Sequence, residues 1–172
     1  MAMLRFTIPA DQAAATLAQC SGALTALFAL DAHMQHHLTW LDEAGEAFGQ
    51  KPHFDDEETK DARAVANAQI DRMRALRSDL AELAADAEAQ LPAGEAPVGD
   101  IVQEHDLPFL PDTLGPKELV MVERSFSAGM ARYVHTASMS LRPLRTRLES
   151  FGDEQSTLLA GDIRAFLAAV HA

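Results

Sequence analysis

Cysteine, aromatic residues and long apolar runs are all scarce in this sequence. Cys20 is the only cysteine among 172 residues, so the chain can form no internal disulfide. Aromatic residues make up only 6% of the chain, which predicts a thin core and closely packed helices. No run of about 18 consecutive apolar residues is present, and one arginine precedes Pro9, so we expect neither a transmembrane span nor a signal peptide.

The common catalytic motifs are absent as well. The sequence contains no glycine-rich phosphate loop, no Cys-x-x-Cys pair and no Gly-x-Ser-x-Gly nucleophile elbow. It also contains no Glu-x-x-His pair, the motif that carboxylate-bridged di-iron bundles place on two of their helices. These absences favour a protein that is not an enzyme.

Basic residues are few relative to acidic ones. The chain has 14 Lys and Arg against 26 Asp and Glu, which gives a net charge of −12. Such a surface repels phosphate backbones and excludes general nucleic-acid binding, while it favours solubility and basic partners. A single cysteine on an apolar helix face predicts a buried, inert thiol, and we expect a cytoplasmic protein.

Apolar residues, by contrast, recur with the spacing of amphipathic helices along most of the chain. The composition, rich in alanine, favours helix over strand. We predict a single all-α domain, 1–172, built as a four-helix bundle with helices at about 9–48, 55–91, 116–150 and 154–171. The most regular apolar seam is in the first helix: Leu17, Cys20, Leu24, Leu27, Asp31, Met34, Leu38, Leu41, Gly45 and Phe48.

Residues 92–114 interrupt the helical pattern with prolines and glycines. A connection of this length is uncommon inside a compact domain, so it is either a functional surface loop or a crossover. A crossover would run back along the bundle and make the second and third helices parallel. Pro143 lies inside the third helical pattern, where we expect a kink or a break near Ser140.

Histidines cluster on the first helix. His33 and His37 are four residues apart and share a helix face, as two ligands of one metal ion would. With Asp31 from the seam and His135 from the third helix, they form a predicted site for iron, zinc or manganese, as in a hemerythrin-like or di-iron-like bundle. The interpretation that we favour over a metal site is a polar patch on the helix rim beside Trp40.

Two carboxylates interrupt the apolar seams. Asp31 lies on the seam of the first helix, and Glu123 lies on the corresponding apolar seam of the third helix. A buried carboxylate needs a partner or a raised pKa. Arg124, Arg132 or a histidine could supply that partner. Polar residues at seam positions most often fix the register of neighbouring helices, and this is the interpretation that we favour over metal ligation.

The third helix is the one basic element of an acidic chain, with six Lys and Arg against three Glu. Arg142, Arg145 and Arg147 surround Pro143, and with Trp40 and His36 they form the predicted interaction residues. We expect these arginines to pair with the acidic second helix across the bundle. The alternatives that give these arginines a binding function are a site for an anion or an acidic partner, and salt-sensitive nucleic-acid contact through this helix alone.

Together these patterns favour a non-enzymatic protein that acts by binding another protein. It could be an assembly subunit, or an acidic inhibitor or immunity-type partner of a basic protein. The wide apolar faces could also be completed by a second copy in a homodimer. We expect no membrane partner and no cofactor, and the alternative function is the metal-binding bundle described above.

Overall fold

The computed structural model describes residues 4–48, 57–92 and 116–171. These residues form four helices and no strand, which confirms the predicted all-α four-helix arrangement. The helices are α1 (Ala10–Phe48), α2 (Glu57–Ala89), α3 (Pro116–Phe151) and α4 (Glu154–Val170). Their ends lie within two residues of the predicted bounds.

The helices pack as a four-cornered bundle. α1 lies beside α2 and α3, and α4 lies beside the same two helices. Within the described ranges α1 does not pack on α4, nor α2 on α3, so these pairs sit at opposite corners. The basic third helix therefore does not pair with the acidic second one, and that prediction was wrong. Heptad patterns indicate which side of a helix is buried, but they do not name its neighbour.

The contacts also give the direction of each helix. On α1, Leu24 shares a groove with Ala81 of α2, whereas Asp31 reaches Arg77, so the two helices are antiparallel. On the other side of α1, Arg147 of α3 bonds to residues near the start of α1, and Phe126 lies beside residues further along it. Both α2 and α3 thus run opposite to α1 and parallel to each other. This supports the crossover interpretation of 92–114, a segment that lies almost wholly outside the described residues.

The predicted seams form the core where the structure describes their side chains; Leu41, Gly45 and Phe48 of the first seam lie outside that part. Cys20, Leu27, Leu80 and Leu148 have no exposed surface, and Leu24 is 2% exposed. Leu38 is partly buried against this cluster. The apolar stripe of α4 enters the same core through Leu159, Ile163, Phe166 and Leu167.

A short segment before α1, residues 4–9, closes one end of the bundle. The backbone N–H groups of Arg5 and Phe6 both donate to Oδ2 of Asp86, at 3.0 and 2.9 Å. Gln90 receives a hydrogen bond from the N–H of Ile8 and donates one to the carbonyl of Phe6. Phe6 is completely buried and Ile8 is 3% exposed. This segment, the lead-in to α1, therefore contributes Phe6 and Ile8 to the core.

Local chemistry explains how α3 ends and α4 begins. Gly152 has a φ of +75°, a left-handed conformation that glycine adopts without strain. Asp153 then caps α4, because its carboxylate accepts the N–H of Ser156 at 3.0 Å. These two residues therefore separate α3 from α4.

α3 continues through Pro143 as one helix, so the predicted break does not occur. Pro143 is exposed, and its neighbours Leu141 and Leu144 are completely buried. The proline costs one backbone hydrogen bond on the water-facing side, while packing on both sides of it holds the helix together.

One described segment, Ala10–Thr39 of α1, is long and apolar enough to cross a membrane when judged by length and composition alone. In its most apolar window, 56% of the residues are buried inside the bundle. A helix that packs into the core of a helical bundle meets this test as readily as a membrane span does.

Candidate functional site

His33 is a buried polar residue at the contact between α1 and α3. It is 1% exposed, and its Nε2 donates a hydrogen bond to the backbone carbonyl of Phe126 at 2.9 Å. The ring lies 5.0 Å from the Tyr133 ring, centroid to centroid, and His37 stacks on Phe126 at 4.6 Å. Nδ1 of His33 is buried and has no hydrogen-bond partner among the described residues. The predicted His33–His37 face is thus an aromatic contact with α3.

Gly129 makes room for this histidine. A Cβ atom built on Gly129 would lie closer than 3.0 Å to Cε1 and Nε2 of the His33 ring. The ring therefore occupies space that a side chain at this position would fill. No helical periodicity marks such a position, so the sequence carries no signal for it.

Burial lowers the pKa of His33 below its ordinary value, because desolvation disfavours the charged ring. The hydrogen bond to Phe126 opposes that shift, whereas nearby His37, Arg132 and His36 add to it. Proton binding at His33 is therefore unfavourable in the folded protein.

We expect this histidine to make stability depend on pH below about 6.5, its ordinary pKa. In this range the unfolded chain binds more protons at His33 than the folded chain does, so stability falls as pH falls towards the lowered pKa. The contribution of one such group approaches about 1.4 kcal/mol per pH unit within that window. Urea unfolding of wild type and His33→Gln between pH 7 and pH 5 measures it. Equal pH slopes for the two proteins would contradict the assignment.

Asp31 faces the opposite side of α1, towards α2. Its side chain is 10% exposed, and Oδ2 lies 2.5 Å from Nη1 of Arg77 and 3.5 Å from Nε of Arg74. The guanidinium of Arg77 also stacks on the Phe28 ring, at 3.6 Å from the ring centre. The buried carboxylate has the arginine partner that it requires, but α2 supplies it instead of the predicted Arg124, Arg132 or a histidine.

The four predicted metal ligands do not come together. Asp31 faces α2, His33 and His37 face α3, and His135 is exposed on α3. Among the side chains that the structure describes, no group of three or more His, Cys, Asp or Glu could hold a metal ion. The side chain of Glu123, the other seam carboxylate, lies outside this part of the chain.

The three predicted arginines of α3 differ in their surroundings. Arg147 is directed at α1, where Nε donates to Gln19 at 2.7 Å and Nη1 donates to Gln12. Nε of Arg145 lies 3.8 Å from Glu149, one turn further along α3. Arg142 is exposed. Of the other predicted interaction residues, His36 is half-buried, and the side chain of Trp40 lies outside the described residues.

A serine and a histidine also meet at the end of α4. Oγ of Ser138 lies 2.8 Å from Nε2 of His171, but the hydroxyl donates its proton to the carbonyl of Val134 at 2.9 Å. His171 must then act as the donor in this contact. A nucleophilic serine instead donates to its base, so this pair has the wrong polarity for that chemistry.

Cys20 fulfils the expectation of a buried thiol. It has no exposed surface, and burial raises the pKa of the thiol to about 12. The reactive thiolate form is therefore negligible at neutral pH.

The chain matches no protein-family model, no curated protein and no solved structure.

Proposed function

We propose that this protein is a non-enzymatic helical protein that binds another protein through the outer face of α3. The outer α3 face is the set of exposed residues that recur every three or four positions along that helix. Its members are Met121, Arg124, Ala128, Arg132, His135, Met139 and Arg142.

The observation that carries this proposal is the exposure of two large apolar side chains on that face. Met121 is 66% exposed and Met139 is 59% exposed. Methionine is enriched in protein interfaces, and its flexible thioether adapts to different partner surfaces. Exposed methionines between arginines favour a surface that another protein covers.

The length of α4 supports the same proposal. α4 ends at Val170, and His171 lies beside Ser138 of α3. In the described part of the chain, the half of α3 before Ser138 therefore extends past the end of α4. This half includes Met121 and Arg132, and α1 is its neighbour there through His33.

The arginines favour a partner segment that carries both carboxylates and apolar side chains. Arg124, Arg132 and Arg142 are all exposed on the proposed face. The net charge of −12 opposes an acidic partner at long range, but salt screens exposed charges beyond about 8 Å under physiological conditions. At contact distance the local arginines decide the preference. A basic partner held by acidic surface elsewhere is the alternative that the sequence suggested.

We expect the variant Arg132→Ser, Met139→Gln, Arg142→Ser to lose at least tenfold in affinity for the partner. Arginines and apolar side chains at the centre of an interface carry most of its binding energy. The partner is first captured with wild type from the native source, identified and purified, and its affinity for each variant is then measured by calorimetry.

The matched control is Arg72→Ser with Leu158→Gln, which removes an exposed arginine and an exposed leucine from α2 and α4. It is expected to bind as wild type does. Equal binding by the α3 variant, with an unchanged melting temperature, would refute the outer α3 face as the interface. Dimerisation of wild type that the α3 variant abolishes would identify the partner as a second copy.

Metal binding stays the alternative function, but of the four predicted ligands only His33 and His37 lie on the same side of α1, since Asp31 faces α2 and His135 is exposed on α3. The proximity of His33 and His37 beside Phe126 is the one observation that favours it. Metal analysis of the purified protein tests it directly. Stoichiometric iron, zinc or manganese that is lost in His37→Ala would support this alternative against the protein-binding proposal.

A further inference from the structure

An open groove runs between α1 and α2, on a different side of the bundle from the outer α3 face. Its volume is about 600 Å³, within the range of small-molecule sites. α1 lines it with Leu24, Phe28 and Asp31, and α2 lines it with Arg74, Arg77, Ser78 and Ala81.

The antiparallel pairing of the two helices gives this α1–α2 groove an apolar end and a charged end. Leu24 and Ala81 lie at one end, and Asp31 and Arg74 lie at the other. Phe28 stands between them and forms an aromatic wall against Arg77. Asp31 is seven positions after Leu24, which corresponds to about 10 Å along the helix.

The charged end has an excess of positive charge. Among the described residues that line this end, the Arg74 and Arg77 guanidinium groups share the carboxylate of Asp31, which leaves a net charge of about +1. Asp31 and the Phe28 ring hold Arg77 in place from two directions. A guanidinium fixed in advance loses little entropy when a ligand binds nearby.

Arg74 is the group available to a ligand. Its side chain is 54% exposed, and its contact with Asp31 is a long one of 3.5 Å through Nε. An arginine has five N–H donors in a planar fork that matches a carboxylate. The donors at the tip of Arg74 are therefore not consumed by Asp31.

From this arrangement we propose that the α1–α2 groove binds a small amphipathic carboxylate. The carboxylate pairs with Arg74, and the apolar chain lies along Phe28 towards Leu24 and Ala81. One negative charge balances the local excess, whereas a doubly charged phosphate would leave negative charge beside Asp31. This site is separate from the outer α3 face, so it can fail without affecting the proposed function, and the reverse also holds.

Decanoate is the test ligand, because it joins one carboxylate to a flexible apolar chain. It is titrated into the full-length protein below its micelle-forming concentration, and amide chemical shifts are followed by NMR. We expect saturable shifts at Phe28, Ser78 and Ala81. Decanol, which has the same chain without the charge, is expected to bind at least tenfold more weakly.

Three variants locate the site. Arg74→Gln is expected to weaken decanoate binding at least fivefold, and Ala81→Phe is expected to block it by filling the apolar end. Arg72→Gln is the control, because Arg72 is exposed on α2 but lines a different groove, next to Asp162 of α4. It should bind decanoate as wild type does.

Several results would overturn the proposal. These are equal binding of decanoate and decanol, unchanged affinity in Arg74→Gln, saturable shifts confined to other surfaces, and no saturable binding at millimolar ligand. Arg74 is more than half exposed, so its replacement should leave the melting temperature close to that of wild type. Loss of binding in Arg74→Gln can therefore be separated from loss of folding.

Discussion

Replacing Phe6 with alanine is expected to lower the free energy of unfolding by about 3–5 kcal/mol, the usual cost of truncating a buried phenylalanine. Phe6 lies before the first helix, yet it has no exposed surface. Its removal would leave a cavity at the end of the bundle that the short lead-in closes. Urea unfolding followed by circular dichroism measures the change.

The size of this effect depends on how firmly the lead-in is held. The N–H of Phe6 donates to Asp86 of α2, and its carbonyl accepts from Gln90, which follows the end of α2. The side chain of Arg5 bonds to Asp79, Glu82 and Gln155. The backbone therefore cannot move easily into the vacated space. Where the surroundings do not relax, the loss in free energy of unfolding is close to its maximum for a cavity of that size.

Thr7→Ala is the matched control for this prediction. Thr7 is the next residue in the same segment, but its side chain is exposed. Its truncation should change stability by no more than about 0.5 kcal/mol. A loss below about 1 kcal/mol for Phe6→Ala would mean that the lead-in does not contribute to the core in solution.

The core of the helices was predictable because burial on a helix is periodic. Leu24, Leu80 and Leu148 were placed on seams from their spacing alone, and all three are buried. Phe6 carries no such signal. It lies in a segment without periodicity, and only the position of Asp86 and Gln90 at the far end of another helix makes it a core residue.

The partners of charged residues were less predictable, because they depend on which helices become neighbours. For Asp31 the partners considered were Arg124, Arg132 or a histidine, whereas the structure pairs it with Arg77 of α2. Arg147 was expected to pair with the acidic α2 and instead bonds to Gln12 and Gln19 of α1. Spacing gives the angular position of a side chain on its own helix. The order of the helices around the bundle depends on the connections between them and on how the apolar faces of all four helices pack together.

Gly129→Ala is expected to destabilise the protein by up to about 2 kcal/mol, although alanine is the better helix former, because overpacking costs about 1–3 kcal/mol. Alanine gains about 1 kcal/mol of helix propensity over glycine. The new methyl group would, however, overlap the His33 ring, and α1 and α3 hold that ring on both sides. Overpacking in a close-packed interior typically costs more than the propensity returns.

A double-mutant cycle with His33 isolates the steric cause. In a His33→Ala background the space beside residue 129 is vacated, so the same Gly129→Ala change should stabilise the protein by up to about 1 kcal/mol. This reversal of sign is the expected coupling between two residues in contact. Gly161→Ala on α4 is the matched control, since a Cβ there meets nothing within 4 Å, and it should be stabilising in both backgrounds. If Gly129→Ala has the same effect with and without His33, the ring does not occupy the space that Gly129 provides, and the basis for the buried histidine contact between α1 and α3 is lost.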